Sequence, residues 1–229
     1  MLDLFKIDSK AAILASSFAI LGLSACSNPT ASDTPSTITS STTSSWELTG
    51  DHAIGNPDAD VTLVEYASVG CGHCATFHET VYPDLKAKYI DTGKVRFIFR
   101  EFNTGNPTMT RTGFLLANCA DQDQYFNNIS LQFKRFEAIQ KSSDPKSEYI
   151  AIAKSAGLSE DEFIECVINR DGLQDLKDRF KVGVDAGVTG TPTFFINGEK
   201  VSKTPSGETL FKIESFDEVL GPLLGEETE

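Results

Sequence analysis

Positive charge is scarce in this chain. Twenty lysines and arginines stand against 33 aspartates and glutamates, and the net charge is −13. A surface that acidic repels phosphates, which argues against nucleic-acid binding. Long apolar runs are also missing. The most extended one, Ala11 to Leu23, falls short of the ~20 residues a bilayer-spanning helix needs. There is no internal repeat, so solenoid and propeller architectures are excluded. What remains is ordinary for a soluble globular protein: 40% hydrophobic and 23% charged residues. The stretch from Trp46 onward is long enough to bury a sizeable core as one domain.

The short apolar run does have a reading. Lys6 and Lys10 precede it, and it ends in Leu23-Ser24-Ala25-Cys26. A charged start and a short apolar core match an export signal. The ending resembles a bacterial lipoprotein signal, in which the cysteine becomes the lipidated first residue. Residues 1–25 are therefore expected to be a lipoprotein signal peptide and Cys26 a lipidation site. Asp3 and Asp8 cancel the two lysines, so the net −13 belongs to residues 26–229. Residues 26–45 are dominated by Ser and Thr, with almost no apolar side chains to offset the entropy of ordering. They are expected to form a flexible tether of roughly 25 Å that holds the domain off a membrane. The expected location is the periplasm, with the protein lipid-anchored to the membrane.

Five cysteines are an odd number for an exported protein: Cys26, Cys71, Cys74, Cys119 and Cys166. Assigning Cys26 to lipid leaves four, enough for two pairs in an oxidising compartment. Cys119 and Cys166 are either a second disulfide stapling two helices or two unpaired core thiols.

Val61 to Ala67 (VTLVEYA) is β-branched and apolar and predicts a buried strand. A helix is predicted from Cys71, with Phe77, Val81, Leu85 and Tyr89 as its apolar stripe and Pro83 kinking it. Val95 to Phe102 predicts a second strand, parallel to the first. Residues from about 107 to 180 predict a helical insertion. Within it, Ser159 with Glu162 is a capping-box pattern, and Ser215 with Glu218 repeats that pattern before a final helix. Asn197-Gly198 predicts a type I′ turn between strands at Thr193 to Ile196 and Lys200 to Lys203. The result is an α/β fold interrupted by helices.

The chemistry centres on Cys71-Gly72-His73-Cys74. Two cysteines at this spacing, at a helix start, can close a small disulfide ring. Cys71 would be the exposed thiol and Cys74 would lie one turn inside. The helix dipole and free backbone N–H groups favour a thiolate at Cys71, and His73, if protonated, adds charge nearby. Zinc binding through Cys71, Cys74 and His78 lacks a convincing fourth ligand, so no metal and no cofactor is expected. His78 reads as a partly exposed helix residue and His52 as a loop residue.

These stretches carry a resemblance. Glu65 to His78 (EYASVGCGHCATFH) and Gly187 to Gly198 (GVTGTPTFFING) are similar to the DsbA-like thioredoxin superfamily. The likeness runs from residue 48 to about 222. It implies a thioredoxin-like fold, a central mixed β-sheet flanked by helices, with an inserted α-helical domain. It also implies a nucleophilic Cys71, a resolving Cys74, a cis-proline at Pro192 facing both, and Thr191 presenting its backbone to a substrate strand. Glu65, six positions before Cys71, matches the family's acidic residue and, if buried, can relay a proton to or from Cys74.

The implied function is a thiol–disulfide oxidoreductase acting on unfolded exported proteins with free thiols. Reoxidation would come from a DsbB-like membrane oxidase. No separate dimerisation segment is evident, so a monomer is expected. Gly72-His73 and Thr191 depart toward the isomerase branch, which leaves a disulfide isomerase or reductase as the alternative. A non-catalytic chaperone or a copper carrier using Cys71, Cys74 and His78 is a third reading.

Overall fold

The computed structural model describes residues 46–226. The signal at 1–25, Cys26 and the tether at 26–45 lie outside the described residues. Five strands form one mixed sheet: β1 (His52–Ile54), β2 (Val61–Ala67), β3 (Val95–Glu101), β4 (Thr193–Ile196) and β5 (Glu199–Val201), in the order β1-β3-β2-β4-β5. β2 is the central strand, and all seven of its residues are buried. It pairs parallel with β3 and antiparallel with β4. A strand covered on both faces needs apolar residues throughout, which is why VTLVEYA is so legible. Alternation places Val61, Leu63, Glu65 and Ala67 on one face, with Phe97 and Phe99 of β3. Val64 and Tyr66 lie on the other, with Ile98.

The predicted kink at Pro83 is a break. Helix α1 (Gly72–Thr80) ends at Val81, whose φ of −120° leaves the helical region. Pro83 then sits in the first turn of a short α2 (Tyr82–Leu85), where its missing N–H is not needed. A wider π-helical turn, Lys86–Ile90, completes the segment. The predicted stripe survives, because Phe77, Val81, Leu85 and Tyr89 are all buried.

The insertion comprises α3 (Pro107–Cys119), α4 (Tyr125–Lys134), α5 (Phe136–Lys141), α6 (Pro145–Ser155), α7 (Glu160–Ile168) and α8 (Arg170–Asp185). Side-chain caps define its helix starts: Asn106 for α3, Asp144 for α6, and Asn169 for α8. The Ser159–Glu162 capping box is present at α7. Cys119 and Cys166 form a disulfide between α3 and α7, with Cα atoms 5.9 Å apart.

Two expectations fail here. Helix α9 (Ile213–Leu220) starts after Lys212, so Ser215 is an interior, buried residue. Glu218 accepts hydrogen bonds from Ser206 instead of capping. His52 belongs to a strand rather than a loop, because three residues between Asp51 and Gly55 show too little periodicity to register in sequence. The Asn197-Gly198 turn is as expected, with φ of 47° and 82°.

Candidate active site

The chain leaves β2 at Ala67 and turns within four residues into α1, so Cys71 sits at the end of the central strand and at the start of a helix. Cys71 N–H donates to the Ser68 carbonyl at 3.0 Å. The Ser68 hydroxyl bonds Thr110 Oγ1 and the Thr104 carbonyl, each at 2.8 Å. The 104–106 loop packs directly on this turn. Gly105, at φ +72°, passes so close that a Cβ would collide with the Gly70 carbonyl.

Cys71 is the N-cap residue of α1 and is 8% exposed; Cys74 is 0% exposed. The expected order of exposure is present, but Cys71 offers only a small accessible patch. Both cysteines are free thiols in this structure. The Cys71 thiol is lowered to about 5. The largest influence is a hydrogen bond from Cys74. Burial opposes it, while the Thr191 side chain and the backbone N–H groups of Cys74 and His73 assist. His73 thus acts on the sulfur through its backbone. Its imidazole is exposed and meets Phe211 edge to face at 6.5 Å. Cys74 moves the other way. Burial pushes its thiol well up, and the bond to Cys71 and the charge of Glu65 add to this.

The Thr191–Pro192 peptide bond is cis. The Cys71 sulfur lies 3.5 Å from the Thr191 carbonyl oxygen. The structure therefore brings together the predicted residues Cys71, Cys74, Thr191 and Pro192. Glu65 is 0% exposed, so it does not face water from a strand edge. Cys119 and Cys166 stand apart from this site in their own disulfide.

Three residues differ from the sequence reading or lack a signal in it. His78 is intermediate in overall exposure, but its side chain turns inward: it is 4% exposed, with Nε2 2.9 Å from a Glu65 carboxylate oxygen. Spacing carried the signal, since His78 falls one turn after Cys74 on the same helix face. Thr104, whose hydroxyl bonds that of Thr191, had no sequence signal. His52 is in β1 and stacks on Tyr125 at 3.4 Å. A cavity lined by Asp51, Arg100, Glu101 and Arg179 lies on that side and shares no residue with the dithiol site.

A thioredoxin family profile matches residues 47–213. The chain belongs to the thioredoxin family. A Rickettsia typhi protein named as a protein-disulfide oxidoreductase is 34% identical over 153 residues, covering 65% of this chain and 55% of the relative. A Rickettsia prowazekii protein of the same name is 30% identical over 184 residues, covering 78% and 63%. The chain thus spans 55% to 63% of the length of these two relatives. Among solved structures, alpha-DsbA1 of Wolbachia pipientis superposes with a TM-score of 0.67 at 29% identity, over 78% of this chain and 93% of that one. BdbD from Bacillus subtilis shares the fold, with a TM-score of 0.64 at 20% identity over 78% and 95%. The sheet with its helical insertion is the DsbA-like form of the thioredoxin fold.

Proposed function

We propose that this protein is a thiol–disulfide oxidoreductase that introduces disulfide bonds into exported proteins through Cys71 and Cys74. One observation carries the proposal: a sulfur lowered to about 5 at a helix start, 3.5 Å from the Thr191 carbonyl, with its partner thiol fully buried.

In the disulfide form, a substrate thiolate attacks Cys71 Sγ. The Cys71–Cys74 bond breaks and Cys74 departs as a thiolate. Burial disfavours that charge, so Cys74 takes a proton, relayed by Glu65. A second substrate thiolate then attacks the substrate sulfur of the mixed disulfide and releases Cys71 as a thiolate. The substrate has lost two electrons to the protein; of the two protons its thiols gave up, one is held by Cys74 and the other goes to solvent, because Cys71 leaves as a thiolate. A good leaving group at Cys71 drives this direction, because a stabilised dithiol form makes the disulfide more oxidising.

Return to the disulfide requires an oxidant, which we assign to a DsbB-like membrane protein. The export signal pattern and Cys26 support a lipid-anchored periplasmic protein, which we take to act as a monomer. Loss of labelled-lipid incorporation in Cys26→Ala is the expected sign of that anchor.

The test is equilibration of the full-length protein with glutathione buffers. The expected potential is well above the thioredoxin value of about −270 mV; a value at that level would refute the oxidase. Trapping thiols in cells with an alkylating agent is expected to find Cys71 and Cys74 mainly as a disulfide. A mainly dithiol state would instead mark an isomerase or reductase.

A further inference from the structure

Helix α1 carries a histidine that the exchange chemistry leaves unused. The His78 ring is sandwiched between Phe133, stacked at 4.1 Å, and Tyr82 at 4.5 Å. Its Nε2 lies 2.9 Å from one Glu65 oxygen and 3.2 Å from the other. Its Nδ1 is buried with no partner. This asymmetry decides the tautomer. A buried N–H without an acceptor is costlier than a bare ring lone pair. The proton therefore sits on Nε2, which donates to Glu65, and Nδ1 stays unprotonated.

Little else can orient that carboxyl group. Opposite Glu65, β3 supplies Phe99 and β4 supplies Phe194, while Phe133 of α4 covers the His78 ring. The titratable neighbours are Cys74, which senses the Glu65 charge, and Tyr82, whose phenol is pushed up by burial and by Glu65. Among the described residues no lysine or arginine pairs with Glu65; its hydrogen-bond partner is His78.

We propose that His78 is a positioning residue for disulfide exchange: its Nε2–H holds the Glu65 carboxyl group in place to pass the proton that Cys74 gains or loses. The inference rests on the exchange reading above. The same N–H serves both states of Glu65. It donates to a carboxylate oxygen when Glu65 is ionised and to the carbonyl oxygen when Glu65 carries the proton. The ring needs neither to move nor to change charge during the transfer.

The test is the pH profile of disulfide reduction by dithiothreitol in full-length protein. Glu65→Gln is expected to slow reduction on the order of 10²-fold and to flatten the profile, as for loss of a general acid–base. His78→Phe is expected to slow it about 10-fold through misplacement of the carboxyl group. His78→Gln, which keeps an N–H donor, should stay near the parent rate. The Glu65→Gln, His78→Phe double variant should match Glu65→Gln alone.

The ultraviolet titration of the Cys71 thiolate should not move in His78→Phe; a shift large enough to explain the rate would overturn the proposal. So would a parent rate in His78→Phe, or a double variant slower than Glu65→Gln. Nitrogen NMR of the parent protein needs no variant to fold: it should show His78 protonated at Nε2, and the opposite tautomer overturns the assignment. If Cys71→Ser still exchanges, the exchange reading itself fails. If only the His78 results fail, that reading stands without a positioning role for His78.

Discussion

Two thiols three positions apart are held in opposite states by their surroundings. Cys71 is lowered to about 5, while burial pushes Cys74 well up. Reduction therefore takes up two protons below pH 5 and one above it. The potential is expected to fall with pH by about 59 mV per unit below that point and by about 30 mV per unit above it. Potentials measured across that range check this; a single slope through pH 5 contradicts it. The depressed value also bears on the stability of the dithiol form. Cys71 contributes fully above its unfolded value of 9.0 and the contribution is lost as pH falls through about 5.

His52 is a second case at this scale. Burial lowers it from 6.5 to about 4; Arg179 adds to this and the Asn118 hydrogen bond opposes it. Above pH 6.5 its contribution is intact. Between 6.5 and 4 the unfolded chain takes the proton and the folded one does not, so stability falls. His52→Phe is expected to reduce the loss of urea resistance across that window. An unchanged pH profile in that variant would count against it.

At the scale of elements, the turn from β2 into α1 depends on the 104–106 loop. Gly105 has φ +72° and no room for a Cβ against the Gly70 carbonyl. Gly105→Ala is expected to cost more than about 1 kcal/mol and to slow exchange, because the displaced loop also carries Thr104. Denaturant midpoints and exchange rates together check it. The Cys119–Cys166 bond closes a loop with a sequence separation of 47. Replacing both cysteines by alanine should lower stability by up to about 4 kcal/mol while leaving the Cys71 thiolate titration in place. The Ser159 and Ser215 patterns show why local signals differ in reach. At Ser159 the box partner Glu162 has nothing better to bind. At Ser215 the same spacing loses to packing, since Ser215 is buried in α9 and Glu218 binds Ser206.

At the scale of the whole molecule, the net charge of −13 should steer encounters. Lysine-rich dithiol peptides are expected to be oxidised faster than glutamate-rich ones at low salt, the gap closing as ionic strength rises. Steady-state rates at two salt concentrations test this. The fold joins distant parts of the chain around the C-terminal end of the central strand. Cys71 meets Thr191 across 120 positions, and Glu65 meets His78 across 13.

Much of the fold was legible because its signals are short-ranged. The VTLVEYA strand, the Asn197-Gly198 turn, the helical insertion and the Cys71–Cys74 spacing are set by neighbours along the chain, through periodicity, backbone freedom and local hydrogen bonds. The pairing of Cys119 with Cys166, the partial burial of His52, the break at Val81 and the partner of Glu65 were settled only when the chain closed on itself. Desolvation and charge pairing depend on what lies across space, and a histidine on an apolar helix face looks the same in sequence whether it meets water or a buried carboxylate.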